Sequence, residues 1–209
     1  MAVNTENFNF DPDQLREKYR QERDKRLRAD GNDQYKEVEG DFKYFVEDPY
    51  TKKIEKKSEN LITEVAIIGG GFGGILAASR LRMSGIDDFK IIEKGGDFGG
   101  TWYWNRYPGA SCDIESYIYF PLLEETKFVP KHKYTNAPET LEYIGKISEK
   151  FNLAENAIFQ TEVTEVVWLE TEGLWKISTN NGDDIRAKYV VHSNGCLLYT
   201  SPSPRDLRL

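Results

Sequence analysis

A chain of 209 residues is long enough for one domain with a sizeable core, or for one domain and a tail. With 35 acidic against 28 basic side chains the formal net charge is −7, no basic face is evident, and nucleic-acid binding is not expected. Two cysteines, Cys112 and Cys196, supply neither a disulfide framework nor the spacing of metal ligands.

The start, Met1 to Asn7, lacks the basic residues and apolar run of a signal peptide. The longest apolar-looking stretch, Val65 to Ala78, is short and crowded with glycine, so no membrane span is expected. A cytoplasmic setting is the expectation. Asp11-Pro12 reads as an N-cap followed by proline at the first helical position, opening a charged helix over 13–28 anchored by Leu15, Tyr19 and Leu27. Ala29-Asp30-Gly31-Asn32 breaks it. Residues 1–60 form a charged N-terminal extension, either an arm that wraps a larger body or a solvated, disordered leader.

From Glu64 the pattern changes. Val65-Ala66-Ile67-Ile68 is a continuous apolar run, as in a strand covered on both faces. A glycine loop follows, then a helix over 72–83 that Gly85 ends as a C′ glycine, then a second strand over 89–93. A loop rich in glycine and aromatics occupies 94–117. Ala137-Pro138-Glu139 opens a helix in which Leu141, Ile144, Ile147 and Phe151 recur at helical spacing. Strands are expected at 158–161, 164–169, 175–178 and 185–192, the last after the tight-turn pair Asn181-Gly182.

Gly69-Gly70-Gly71-Phe72-Gly73-Gly74 fits G-x-G-x-x-G. Gly69 allows the turn off the strand, Gly71 lets backbone approach a pyrophosphate, and Gly74 lets the helix pack closely on the sheet. The anion would sit on the positive end of the following helix. Glu93, 24 positions after Gly69 and at the end of the next strand, stands where a carboxylate accepts the ribose hydroxyls. The context of strand, loop, helix and acid indicates a nucleotide pocket, and NAD and FAD both use this arrangement.

The loop after Glu93 separates them. Thr101-Trp102-Tyr103-Trp104-Asn105-Arg106-Tyr107-Pro108-Gly109-Ala110 interleaves rings with Gly, Asn, Arg and Pro, as a loop shaped around a flat ligand with polar edges would. The text GGGFGG…IIEKGGDFGGTWYWNRYPGASCDIESYIY resembles the FAD-binding half of the Baeyer–Villiger monooxygenases, over about residues 8 to 195. Such enzymes use NADPH and O2 to turn a ketone into an ester or lactone. The resemblance implies that Gly69, Gly71 and Gly74 hold the FAD pyrophosphate and Glu93 its adenosine ribose. Thr101, Trp102, Tyr103 and Trp104 would line the flavin side, with Asp113 and Tyr119 near the isoalloxazine. Val163 would contact the adenine through its backbone, and Ser111, Cys112 and Asp113 would lie where the nicotinamide nucleotide approaches. Phe72, Gly73, Lys94 and Gly100 complete the cofactor-binding set, and Asp113 is the candidate catalytic residue. A turn-capping carboxylate is the alternative for Asp113, and a small packing residue for Cys112.

The expected fold is α/β. A Rossmann-like FAD-binding domain over 61–195 has a central parallel sheet and a small antiparallel hairpin or meander insertion, a helical N-terminal extension precedes it, and no NADPH domain follows. After Gly195 the resemblance stops, and Cys196 to Asp206 back-translates to a transposase-type sequencing adapter read in frame. Residues 196–209 are expected not to be natural protein, and such a tail is excluded from fold reasoning. A flavin left open to water on one side loses its protection, so the fragment itself is expected to be inactive. The competing readings are an NAD(P)-dependent dehydrogenase and a nucleotide-binding module without catalysis.

Overall fold

A computed structural model describes residues 10–27, 29, 40 and 47–195 of the chain. Most of the charged extension, and the segment 196–209, lie outside the described residues. Helix α1 (Pro12–Asp24) opens as Asp11 accepts hydrogen bonds from the amides of Asp13 and Gln14, with Pro12 at the first helical position. It stops at Asp24, short of the expected Arg28, and none of its residues is buried. Its i,i+3 ion pairs, such as Arg16–Asp13 and Lys25–Glu22, are solvent-exposed and contribute little each. From Glu47 onward the chain forms a separate compact unit that carries the sheet.

That unit is built on one six-stranded sheet. Its strands are β1 (Asn60–Ile68), β2 (Phe89–Ile92), β3 (Ala157–Ile158), β4 (Val163–Leu169), β5 (Leu174–Thr179) and β6 (Asp184–His192), in the order β3-β2-β1-β6-β5-β4. The first four in that order run parallel, with Ile67 of β1 opposite Ile91 of β2 and Val191 of β6. The antiparallel strands β5 and β4 continue the same sheet beyond β6. The turn from β5 to β6 is closed by Gly182, at φ 81°, and by the buried Asp183, whose carboxylate accepts from the Thr179 hydroxyl at 2.5 Å and the Glu59 amide at 2.8 Å. The strand expected over 158–161 is shorter. Gln160 turns into the left-handed region at φ 50°, which ends the extended run after Ile158.

Helix α2 (Phe72–Met83) has the expected bounds. It ends in a full Schellman motif: Gly85 donates to the Arg82 carbonyl and Ile86 to that of Leu81, with Gly85 at φ 77°. Four-residue turns α3 (Thr101–Trp104), α4 (Ser116–Tyr119) and α5 (Leu123–Thr126) interrupt the long loop. Helix α6 (Ala137–Lys150) is capped by Asn136, whose side chain accepts from the Glu139 amide. Ile144 and Ile147 are fully buried as their spacing predicts, and Leu141 and Phe151 pack at the edge of the same cluster. Tyr143 joins them and stacks on both Phe120 and Phe128, at ring separations of 4.8 and 4.6 Å. The main core joins Val65, Ile67, Phe89 and Ile91 of the sheet to Ile75 and Ala78 of α2 and to α6. Each valine, isoleucine or phenylalanine so withdrawn from water contributes about 1.5–3 kcal/mol. Among the described residues, no helix is long and apolar enough to cross a membrane.

Candidate functional site

The connections from β1 run to β2 and β3 on one side, while β6 lies against β1 on the other. Strand order therefore reverses at β1, which makes the carboxyl ends of β1 and β6 a topological switch point, where such sheets usually have their ligand crevice. Gly69 to Gly74 leave β1 there, opposite Ser193 on the chain leaving β6. Gly69 sits at φ 102°, and a Cβ on it would lie 2.5 Å from the Ser193 carbonyl oxygen. A Cβ on Gly74 would overlap the Gly69 carbonyl oxygen. These two glycines are thus demanded by the protein's own backbone. Gly71 and Gly73 are not: a Cβ would meet Gly100 Cα at 3.4 Å and the Ser193 side chain at 3.5 Å, both ordinary contacts. Gly71 is the N-cap of α2 and offers no side-chain cap, so the first-turn amides of a 12-residue helix are left for another acceptor.

Glu93 follows β2 and is 5% exposed. One carboxylate oxygen accepts from the Gly70 amide at 2.5 Å and the other from the Gly95 amide at 2.7 Å. The acid therefore binds the glycine loop to the next turn, and each oxygen retains a lone pair for a further donor. Burial raises its pKa and the charge of Asp48 adds to this, opposed by the two amide hydrogen bonds and by Lys94. Lys94 itself is exposed and pairs with Glu162 at 2.9 Å. Val163, at the start of β4, packs against the cluster that holds Ile92 of β2 and Ile177 of β5.

Gly100 faces Gly71 from across the loop at φ 53°, and caps α3. In that turn Thr101 is exposed, Trp102 and Tyr103 are buried, and Trp104 is half-buried. Trp102 donates from Nε1 to the Tyr119 hydroxyl at 2.9 Å, and the Tyr119 ring meets Phe72, first residue of α2, edge-on at 5.2 Å. Burial pushes the Tyr119 phenol up, the Trp102 hydrogen bond opposes this, and Cys112 and Asp113 reinforce it. Trp102, Tyr119, Phe72 and the Cys112–Asp113 pair thus gather beside the mouth of the glycine loop. Tyr119→Phe should leave a buried indole N–H unpaired and cost about 1–3 kcal/mol, measured by urea unfolding. Ser111 forms an isolated bridge with Asn136, and the Cys112 amide donates to the Thr135 carbonyl at 2.9 Å. The Cys112 thiol is buried in the main core, whereas Asp113 is exposed.

Tyr103 points elsewhere. Its hydroxyl donates at 2.6 Å to Asp48, in the segment before β1, and the same carboxylate accepts from the Gly96 amide at 3.0 Å. Sequence reasoning assigned no role to Asp48, Tyr50, Thr51 or Gln160, which surround this point. Asp48-Pro49 is a turn-initiating pair, and that local signal could have marked it.

A family model for an NAD(P)-binding Rossmann-like domain matches residues 67–129. A Baeyer–Villiger monooxygenase of Streptomyces coelicolor is 44% identical over 184 residues, which cover 88% of this chain and 30% of that protein. The solved polycyclic ketone monooxygenase of Thermothelomyces thermophila superposes with a TM-score of 0.75 at 35% identity, over 88% of this chain and 32% of that one. A structure titled as OTEMO complexed with FAD and NADP superposes with a TM-score of 0.60 at 29% identity, over 64% and 26% of the two chains. The chain spans about a third of the length of these relatives, and its matched part is their N-terminal part. Sequence identity and superposition over 88% of the chain match it to the N-terminal part of the Baeyer–Villiger monooxygenases.

Proposed function

We propose that the crevice between β1 and β6 holds FAD, and that the whole protein uses NADPH and O2 to oxidise a ketone to an ester or lactone. The observation that carries the reading is the uncapped N-terminus of α2, opening on that crevice behind glycines that leave space at 71 and 73. When bound, FAD supplies the redox chemistry that passes electrons from NADPH to dioxygen. The protein's own residues do the rest. The amides of Gly71, Phe72, Gly73 and Gly74 face the pyrophosphate, with Gly69 fixing the turn, while Glu93 and Lys94 flank the adenosine ribose and the Val163 backbone meets the adenine. Gly100, Thr101, Trp102 and Trp104 form the wall on the flavin side, and Tyr103, expected there, instead braces that turn from behind through Asp48. Trp102 and Tyr119 hold each other by a hydrogen bond and exclude water there. Ser111, Cys112 and Asp113 border the approach of the nicotinamide nucleotide, where the exposed Asp113 carboxylate stands as the candidate catalytic group.

A second reading places NAD in the first pocket, as in a dehydrogenase. The carboxylate of Glu93 disfavours a 2′-phosphate and so NADPH at that position. The two readings separate on colour. The purified 209-residue chain, incubated with FAD and desalted, should be yellow with a flavin absorption spectrum. A colourless protein that binds NADH instead would overturn the FAD assignment. The fragment is expected to show no ketone oxidation, and measurable lactone or ester formation by it would refute that part.

A further inference from the structure

The βαβ unit begins at Asn60, yet one of the most heavily bonded side chains around the nucleotide loops comes from twelve residues earlier. Asp48 accepts five hydrogen bonds. Oδ1 takes the Tyr50 amide at 2.9 Å and the Thr51 amide at 3.4 Å, which closes a local turn over Pro49. Oδ2 takes the Thr51 hydroxyl at 2.6 Å, the Tyr103 hydroxyl at 2.6 Å and the Gly96 amide at 3.0 Å. Burial pushes this carboxyl up, but the donors from Thr51, Tyr103, Tyr50 and Gly96 outweigh it and hold the group below the ordinary aspartate value. It is an anion matched to its donors.

The surroundings are built to the same end. Gly95 and Gly96 are consecutive, and their amides are held from opposite sides, the first by Glu93 and the second by Asp48. A Cβ on Gly95 would lie 2.9 Å from the Tyr103 ring, and one on Gly96 would lie 2.6 Å from Thr51 Cβ. Gln160 fastens the other end of the segment. Its amide nitrogen donates to the Thr51 hydroxyl at 3.0 Å and the Lys52 carbonyl at 2.8 Å, while its oxygen accepts from the Ile54 amide at 2.8 Å. Arg106 lies over the rings of Tyr50 and Tyr103 at 4.0 and 4.6 Å and closes the outside.

We propose that Asp48 is a positioning residue for the nucleotide site: through Gly96 and Tyr103 it fixes the turn that presents Glu93 and the Thr101–Trp104 helix to the crevice. Its consequence for cofactor affinity rests on the FAD reading above. The segment before β1 is then part of the binding apparatus and not a passive leader.

The test is Asp48→Asn in the 209-residue chain, in which an amide group must face one set of donors that now meet an acceptor. Amide hydrogen exchange in residues 94–104 is expected to speed up about tenfold, while β1 and β6 keep their protection. FAD affinity, from quenching of flavin fluorescence where both proteins are fully folded, should fall about tenfold, or about 1.4 kcal/mol. A third readout is the ionisation of Glu93. The charged groups that bear on Glu93 are Asp48 and Lys94, the latter paired with Glu162, so Asp48→Asn should shift the carbon-13 titration of Glu93 to lower pH. Unchanged exchange in 94–104 would overturn the proposal, as would an unmoved Glu93 titration. Faster exchange with unchanged FAD affinity would overturn its link to the cofactor. If the parent chain takes up no FAD, the FAD reading falls, and exchange and titration still decide the role of Asp48. Should Asp48→Asn not fold, Tyr103→Phe and Thr51→Val each remove one donor and are read by exchange and FAD affinity, with smaller effects of the same sign.

Discussion

Gly74→Ala is expected to destabilise the chain by about 3 kcal/mol, lowering the melting temperature by roughly 6–12 °C. The added methyl would overlap the Gly69 carbonyl oxygen, a backbone atom with no rotamer to yield. Gly69 cannot retreat, because its amide is bonded to the Ile92 carbonyl at 2.8 Å and its Cα faces Ser193. Helix α2 cannot lift away without withdrawing Ile75 and Ala78 from the core. The neighbouring change, Gly73→Ala, provides the contrast. Its methyl would rest 3.5 Å from the Ser193 side chain on an exposed first turn, and alanine should leave stability unchanged or raise it by about 0.5 kcal/mol. If position 73 lies against a pyrophosphate, the same methyl should weaken FAD binding in a fully folded protein. Differential scanning calorimetry beside flavin titration measures both, and equal melting temperatures for the two variants would contradict the packing argument.

Glu93→Leu should be the other costly change. It leaves the buried amides of Gly70 and Gly95 without acceptors, at about 1–3 kcal/mol each, and removes the carboxylate proposed to meet the ribose. Urea unfolding of the apoprotein measures the first loss and FAD affinity the second. Glu93 also confers a pH dependence whose sign follows from its environment. Its folded pKa is raised above the ordinary 4.5, by burial first and by the Asp48 charge besides. Ionisation at neutral pH therefore costs stability, and that cost is relieved as pH falls through the raised value, fully so below 4.5. Asp48 runs the other way. Its contribution is present above its ordinary value of 3.8 and is lost as pH falls through its lowered one. Between neutral pH and 4.5 the parent chain should accordingly gain stability relative to Glu93→Gln. A difference between the two that stays flat over this range would contradict the burial of an ionisable acid at position 93.

The nucleotide unit was legible because its requirements are local. A run of four apolar β-branched and small residues makes a covered strand, a glycine after the last helical residue ends a helix, and an acid at a fixed spacing follows the next strand. Hence α2 has the bounds its sequence predicts and ends in the expected glycine motif. Departures occur where side chains choose between local and distant partners. The extended run after Ile158 stops because Gln160 turns to fasten Thr51, Lys52 and Ile54, more than a hundred positions away. The expected antiparallel insertion is present, and tertiary pairing sets its place at the β6 edge, where β5 aligns Trp175 to Ser178 with Ala187 to Asp184.

By itself the sequence determined that the chain carries a βαβ nucleotide pocket and that the loop from Gly100 to Tyr119 resembles the flavin side of a monooxygenase family. Spacing and residue size carry that information, because glycine loops and apolar runs constrain the backbone wherever they occur. Only the tertiary structure decided which glycines the protein itself requires, and that Glu93 binds two loop amides. It alone joined Asp48 to Gly96 and Tyr103. Those facts depend on backbones and charges meeting across long separations in sequence, as between Gly69 and Ser193, and no local pattern encodes a distance in space.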